Sequence, residues 1–156
     1  MIVRRATPAD VPAILRLIVA LAVYEHEPDA VKATEESLAD NLFGDDARVF
    51  AHVAEIDGEV VGIAVWFLNY STWTGKRGIY LEDLFVSEAA RGTGAGKALF
   101  RALAQEAERL DCPRIDWAVL TWNEAAMDFY RAIGARPQTS WQPWRIEGAA
   151  LEALKA

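Results

Sequence analysis

The sequence predicts an α/β fold built on one mixed sheet, with helices packed on both of its faces. Three observations predict it. Apolar runs from Val49 to Ile56 and from Glu59 to Leu68 flank Asp57-Gly58, a two-residue link typical of a β-hairpin. A buried strand ending at Val86 then runs through a glycine-rich turn into a helix. The full element order, βααβββαβαβ, combines hairpin and crossover connections, so neither a purely parallel nor a purely antiparallel sheet accommodates it.

Taken in order, Ile2 to Arg5 forms a short first strand. Thr7-Pro8-Ala9-Asp10 supplies an N-cap, a proline at a first helical position and an acid in the first turn. Val11, Ile14, Leu15, Ile18, Leu21 and Ala22 follow as one helix face, and Pro28 stops the pattern. Thr34 caps a shorter helix carrying Leu38, Leu42 and Phe43, closed at Gly44. The loop Asn69 to Lys76 leads into the central strand, Ile79 to Val86. A long helix spans Gly94 to Leu110 with Leu99, Leu103 and Ala107 inward. Arg114 to Leu120 is a strand and Asn123 to Ile133 a helix with Gly134 at its C-terminal cap. A last strand pair, or a strand and tail, covers Arg136 to Glu147.

With 156 residues and no linker or repeat, the expectation is a single domain over residues 1–156. No apolar run reaches the ~18 to 20 residues of a membrane helix. The first ten residues carry arginines without an apolar secretory segment, which points to a cytoplasmic protein. Cys112 has no disulfide partner, and His26 and His52 complete no zinc-ligand spacing, so no metal is expected. A net charge of −7 argues against nucleic acid as a partner.

Arg91-Gly92-Thr93-Gly94-Ala95-Gly96 is the most specific local feature. Its glycines allow backbone N–H groups to turn inward at a helix N-terminus, which suits an anionic ligand. A phosphate-binding P-loop needs glycine and Ser or Thr where this chain has Arg91 and Ala98. The dinucleotide fingerprint fails too, because the spacing is G-x-G-x-G and falls late in the chain.

Arg-x-x-Gly-x-Gly at a strand-to-helix turn resembles the pyrophosphate loop of the GCN5-related N-acetyltransferases. Trp122-Asn123-Glu124 with Phe129 to Ala135, Trp73 to Lys76, Tyr80 to Val86 and Leu21 to Glu25 extend the likeness over about Val3 to Trp144. Together they resemble the spermidine/spermine (diamine) acetyltransferase branch, which includes thialysine acetyltransferases. The resemblance implies a central, mostly antiparallel sheet with a splayed parallel strand pair, acetyl-CoA as co-substrate, and a homodimer. It implies that backbone groups of Leu84, Phe85 and Val86 hold the pantetheine arm. The segment Arg91, Gly92, Thr93, Gly94, Ala95, Gly96 and Lys97 would hold pyrophosphate, with Asn123, Glu124, Ala125, Ala126 and Tyr130 completing the cofactor contacts.

The implied reaction acetylates a primary amine of a small cationic substrate: a polyamine, a diamine or a lysine-like amino acid. Tyr130, with an ordinary pKa of about 10, carries the proton that a general acid needs. Glu82 is the matching base, acting through water, and a backbone N–H near Phe85 or Val86 is the oxyanion donor. Tyr24, Glu25, Asp116 and Trp117 match substrate-side positions, with Tyr24 available for a cation–π contact. Strand alternation puts Glu82 and Asp83 on opposite faces, so they are not expected to act as a pair. One departure concerns the C-terminal region, where Trp141-Gln142-Pro143-Trp144 replaces an acidic stretch before Gly-Trp. That loss disfavours long polyamines. A non-catalytic acyl-CoA sensor and a transferase for protein or aminoglycoside amines are the alternatives.

Overall fold

The computed structural model describes residues 1–155 as two compact units, one over Met1–Leu120 and one from Thr121 onward. The first unit holds a five-stranded sheet in the order β1-β2-β3-β4-β5. Its strands are β1 (Ile2–Arg5), β2 (Val49–Ile56), β3 (Glu59–Ser71), β4 (Lys76–Val86) and β5 (Ile115–Asp116). The first four pair antiparallel in sequence, and β5 joins β4 in parallel. The helices α1 (Val11–Tyr24), α2 (Glu35–Phe43) and α3 (Ala95–Arg109) complete this unit.

Alternation along the strands builds two cores. Ala51, Val53, Val60, Ile63, Val65 and Phe85 meet Ile14 and Leu17 of α1 and Leu42 of α2 on one face. The intervening residues Phe50, His52 and Trp66 face the other way; the ring centroids of Phe50 and Trp66 are 4.6 Å apart. His52 and Arg5 reach Glu106 of α3 on that side. Leu99 and Leu103 of α3 are fully buried there. Burying each such aliphatic side chain contributes ~1.5–3 kcal/mol, so this two-sided burial is the main stabilising force.

Local chemistry sets the connections. Asp57 (φ 52°) and Gly58 (φ 83°) both take left-handed backbone, as a two-residue hairpin turn requires. The Thr34 hydroxyl accepts from the Ser37 N–H and starts α2. Arg4 donates to both oxygens of Asp10 at 2.7 and 2.9 Å, tying β1 to the start of α1. That pairing holds the Asp10 carboxyl at about 2, below its ordinary range.

Three sequence-based expectations are corrected. The loop expected from Asn69 to Lys76 shrinks to four residues, because β3 runs to Ser71 and β4 begins at Lys76. The strand expected over Arg114 to Leu120 forms a ladder only at Ile115–Asp116, opposite Ile79 and Tyr80. A β-bulge follows two residues later on β4 and bends it, so a parallel neighbour cannot keep step. In the second unit, Arg136 to Glu147 forms no strand; Pro137 and Pro143 withdraw two of its N–H donors. That unit consists of α4 (Glu124–Ala132), an extended segment and a short α5 (Gly148–Ala153).

Candidate active site

The bulge on β4 creates the most informative part of the site. Leu81 pairs with Trp66 and Asp83 with Val65, which leaves Glu82 with no partner on β3. One inserted residue shifts the phase of alternation, so Asp83 joins the face of Val65 and Phe85 instead of that of Leu81. Glu82 and Asp83 therefore line one cavity, together with Glu25 from the end of α1. The expectation that the two acids occupy opposite faces is overturned. Alternation holds only where the ladder is regular.

This cavity measures ≈ 370 Å³ and is otherwise walled by Ile18, Leu21 and Ala22 of α1 and by Ala30, Val31, Lys32 and Ala33 between α1 and α2. Burial, and then the charges of Glu82 and Glu25, push the Asp83 carboxyl up to about 6. Burial alone also raises Glu25. Among the described residues none of the three acids forms an ion pair. The arrangement attracts a cation.

Glu25 owes its position to the way α1 stops. The Glu27 N–H bonds back to the Ala22 carbonyl at 2.9 Å and the His26 N–H to Val23 at 3.1 Å. His26 takes φ 65° between them, a Schellman-type end that usually carries glycine. The helix is closed by this backbone motif before Pro28 is reached.

Among the described residues no strand pairs with the β5-facing edge of β4 beyond Tyr80, where the parallel ladder ends. Ser87 donates to the Val61 carbonyl at 2.8 Å, which sets the phase of the preceding residues. Phe85 accordingly turns its backbone groups toward Ile63 of β3, while Leu84 and Val86 present theirs to the open edge. Of the three expected backbone contacts, those of Leu84 and Val86 remain available to an added strand-like arm. Phe85 is spent on the sheet and is excluded as the oxyanion donor.

Immediately downstream, Gly92 (φ 81°) and Gly94 (φ 88°) adopt left-handed backbone in an exposed turn. A Cβ at either would meet nothing within 4 Å, so backbone conformation alone demands glycine there. Thr93 turns inward, its hydroxyl donating to the Ala90 carbonyl at 2.7 Å. No side chain caps α3, which leaves the first-turn N–H groups of Ala95, Gly96 and Lys97 directed outward. The turn fits a pyrophosphate by its donors, and the open β4 edge beside it fits an amide-bearing arm.

Arg91 does something the sequence did not reveal. Its guanidinium lies 4.8 Å from the ring centroid of Tyr24 and 6.0 Å from that of Phe85. The Tyr24 ring, expected to meet a substrate cation, is already engaged by the chain's own arginine. Asp116 and Trp117 are also committed elsewhere. The Asp116 carboxylate pairs with Arg114 at 2.8 Å and accepts from Asn69 at 3.2 Å. Trp117 packs edge-on against Phe100 of α3 at 5.2 Å. Neither is among the described residues that line the acid cavity.

The second unit holds the remaining candidates. The buried Asn123 caps α4, its side-chain oxygen accepting from the Ala126 N–H at 3.2 Å. Glu124 and Ala125 are exposed in the first turn. Tyr130 is half-buried, its ring centroid 5.6 Å from that of Phe129. Gly134, at φ 92°, ends the helix as expected. Among the described residues, no group of His, Cys, Asp and Glu is arranged to hold a metal ion. Nor is any helix long and apolar enough to cross a membrane.

Residues 13–135 match the model of the acetyltransferase (GNAT) family. The thialysine N-epsilon-acetyltransferase of Bos taurus is 41% identical over 99% of this chain and 96% of its own length. The spermidine/spermine N(1)-acetyltransferase-like protein 1 of Homo sapiens is 34% identical over 92% of this chain, which corresponds to 22% of that protein. Among solved structures, an integron cassette protein from the V. cholerae mobile metagenome superposes with a TM-score of 0.82. It is 29% identical and covers 99% of this chain and 96% of its own.

Proposed function

We propose an acceptor and a set of residue roles from one premise: the chain belongs to the acetyltransferase (GNAT) family and is an acyltransferase. The proposed reaction transfers an acetyl group from acetyl-CoA to a primary amine of a small cationic substrate. The observation that carries this reading is the clustering of Glu25, Glu82 and Asp83 in one cavity beside an open strand edge and an uncapped, glycine-rich helix start. Relatives named for thialysine and for spermidine or spermine support an amine acceptor.

Bound acetyl-CoA would supply the activated acetyl thioester. The outward backbone groups of Leu84 and Val86 align its arm by strand addition, and the N–H groups from Gly92 to Lys97 hold its phosphates. Glu82, exposed at the bulge, takes the proton that the acceptor ammonium must lose, through a water molecule. Asp83 and Glu25 hold the acceptor's positive charge. Tyr130 serves as the acid for the departing thiolate, a role that rests on the family resemblance. An N–H of Leu84 or Val86 donates to the developing oxyanion. The protein works in the cytoplasm as a homodimer that uses the exposed Trp141 and Trp144 as contact surface.

A thiol-release screen with acetyl-CoA against spermidine, diamines, lysine analogues and aminoglycosides tests the reading. Turnover of a small aliphatic amine is expected. Tight acetyl-CoA binding with no turnover of any amine would replace it with the sensor alternative.

A further inference from the structure

We propose that Asn69, Gly78 and Asp116 form a clasp across β4 that sets the angle at which β5 leaves it, so that Asn69 and Gly78 are positioning residues for the acyl donor. The inference rests on the acetyltransferase reading, in which the arm of acetyl-CoA lies along the β5-facing edge of β4.

Asn69 stands on β3 opposite Gly78 of β4, and Asp116 stands on β5 beyond it. The Asn69 Nδ2 donates to Asp116 Oδ2 at 3.2 Å, so this bond crosses β4 and joins two strands that are not neighbours in the sheet. Gly78 makes the crossing possible. A Cβ there would lie 2.6 Å from Asn69 Oδ1 and 3.3 Å from Arg114 Cγ. The Arg114 Nε, 2.8 Å from the same Asp116 oxygen, holds that carboxylate toward the clasp. Asn69 Oδ1 is buried and has no hydrogen-bond partner among the described residues. An unpaired buried acceptor is costly, and it is tolerated here because the other end of the amide reaches a charged acceptor.

β5 needs such a hold. Its ladder with β4 has two pairs, Ile79 with Ile115 and Tyr80 with Asp116. The ion pair between Lys76 and Asp111 lies at the same end, but both side chains are exposed and such pairs contribute little. Next along, Trp117 rests against Phe100, which ties the chain to α3 rather than to β4. At ~3.3 Å per residue Leu84 lies ~13 Å along β4 from Tyr80, so a tilt of about 5° at the clasp moves the facing chain by ~1 Å at that level. A misplacement of ~1 Å can cost about a hundredfold in rate.

The test compares two donors, acetyl-CoA and S-acetylpantetheine, which keeps the arm and lacks the pyrophosphate. Thiol release with thialysine or spermidine in excess gives kcat/KM for each donor, corrected for the folded fraction by circular dichroism at the assay temperature. Asn69→Leu removes the amide, and Gly78→Ala displaces it while leaving Asn69 in place. Each should lower kcat/KM by about tenfold or more, and by the same factor for both donors. Asn69→Asp sets two carboxylates together and should lose more. Adding Asp116→Asn to it rebuilds the bond with donor and acceptor exchanged and should recover most of the loss. That exchanged pair decides the matter if a single variant fails to fold. Unchanged kcat/KM in the single variants, a loss confined to acetyl-CoA, or no recovery in the exchanged pair overturns the clasp, while wild-type turnover keeps acetyl transfer standing. A wild type that releases thiol from neither donor with any amine rejects the acetyl-transfer reading and the clasp's role with it.

Discussion

Glu82 and Asp83 are adjacent on β4 yet line the same cavity, because the bulge between the Leu81–Trp66 and Asp83–Val65 pairs cancels one step of alternation. Two neighbouring carboxylates on one side of a strand repel each other, and in Asp83, the more buried one, that repulsion adds to burial in raising the carboxyl.

Asp83 ionises at about 6 in the folded protein against an ordinary 3.8. Its charge is therefore present above pH 6 and lost below it, so KM for a cationic acceptor should rise as pH falls through 6. Asp83→Asn should raise KM by about tenfold at neutral pH and remove that limb from a pH–KM profile. The sign for stability is opposite. A raised carboxyl favours folding below about 4, and the contribution is lost as pH rises through 6. The Asn variant should be more stable than wild type at pH 7, by at most about 3 kcal/mol, and no more stable at pH 4. Urea unfolding at both pH values checks this.

His52 gives a counter-example with the opposite slope. Trp66 donates its indole N–H to His52 Nδ1 at 3.1 Å, which requires that nitrogen to be unprotonated. Burial, with Arg5 adding to it, holds the imidazole at about 4 against an ordinary 6.5. The unfolded chain binds the extra proton first, so stability falls as pH drops from about 6.5 toward 4. The loss should reach about 2 kcal/mol at pH 5. A His52→Gln variant, less stable at pH 7, should show a flatter decline; an identical decline would remove His52 as the cause.

Gly94→Ala tests the turn. The substitution meets no atom, so its effect comes from forcing a side chain onto φ 88°, which costs ~1–2 kcal/mol. The melting temperature should fall by a few degrees and coenzyme A affinity should drop more than tenfold. Full retention of affinity would move pyrophosphate binding away from this turn.

Tyr130→Phe and Glu82→Gln separate acid from base. The phenylalanine variant should lower kcat by about two orders of magnitude with coenzyme A affinity nearly intact. The glutamine variant should lose rate mainly at lower pH, where the amine is protonated. A wild-type pH profile in Glu82→Gln would assign the base elsewhere.

Much of this protein was legible in the sequence because the signals were local. Asp57-Gly58 requires two consecutive left-handed residues, and only a tight hairpin offers them. Thr34 capped the helix it was expected to cap, and the glycines after Arg91 stood where an exposed turn meets a helix start. The mixed sheet followed from the order of elements, and the family, with its mostly antiparallel strand pairing, from five motifs in order along the chain.

Tertiary structure decided what those signals could not encode. No residue type marks the bulge at Glu82, since a bulge is a relation between two strands; it alone moved Asp83 into the acid cavity. The same holds for Arg91 over Tyr24 and for the Asp116 carboxylate accepting from Asn69, contacts between residues far apart in the chain and on different elements. Lys32 gave no motif at all, and only the packing of its loop brought it to the wall of the cavity that the three acids line. Local backbone preferences are written residue by residue, whereas the charges that share a cavity are settled by which surfaces the sheet and helices bury together.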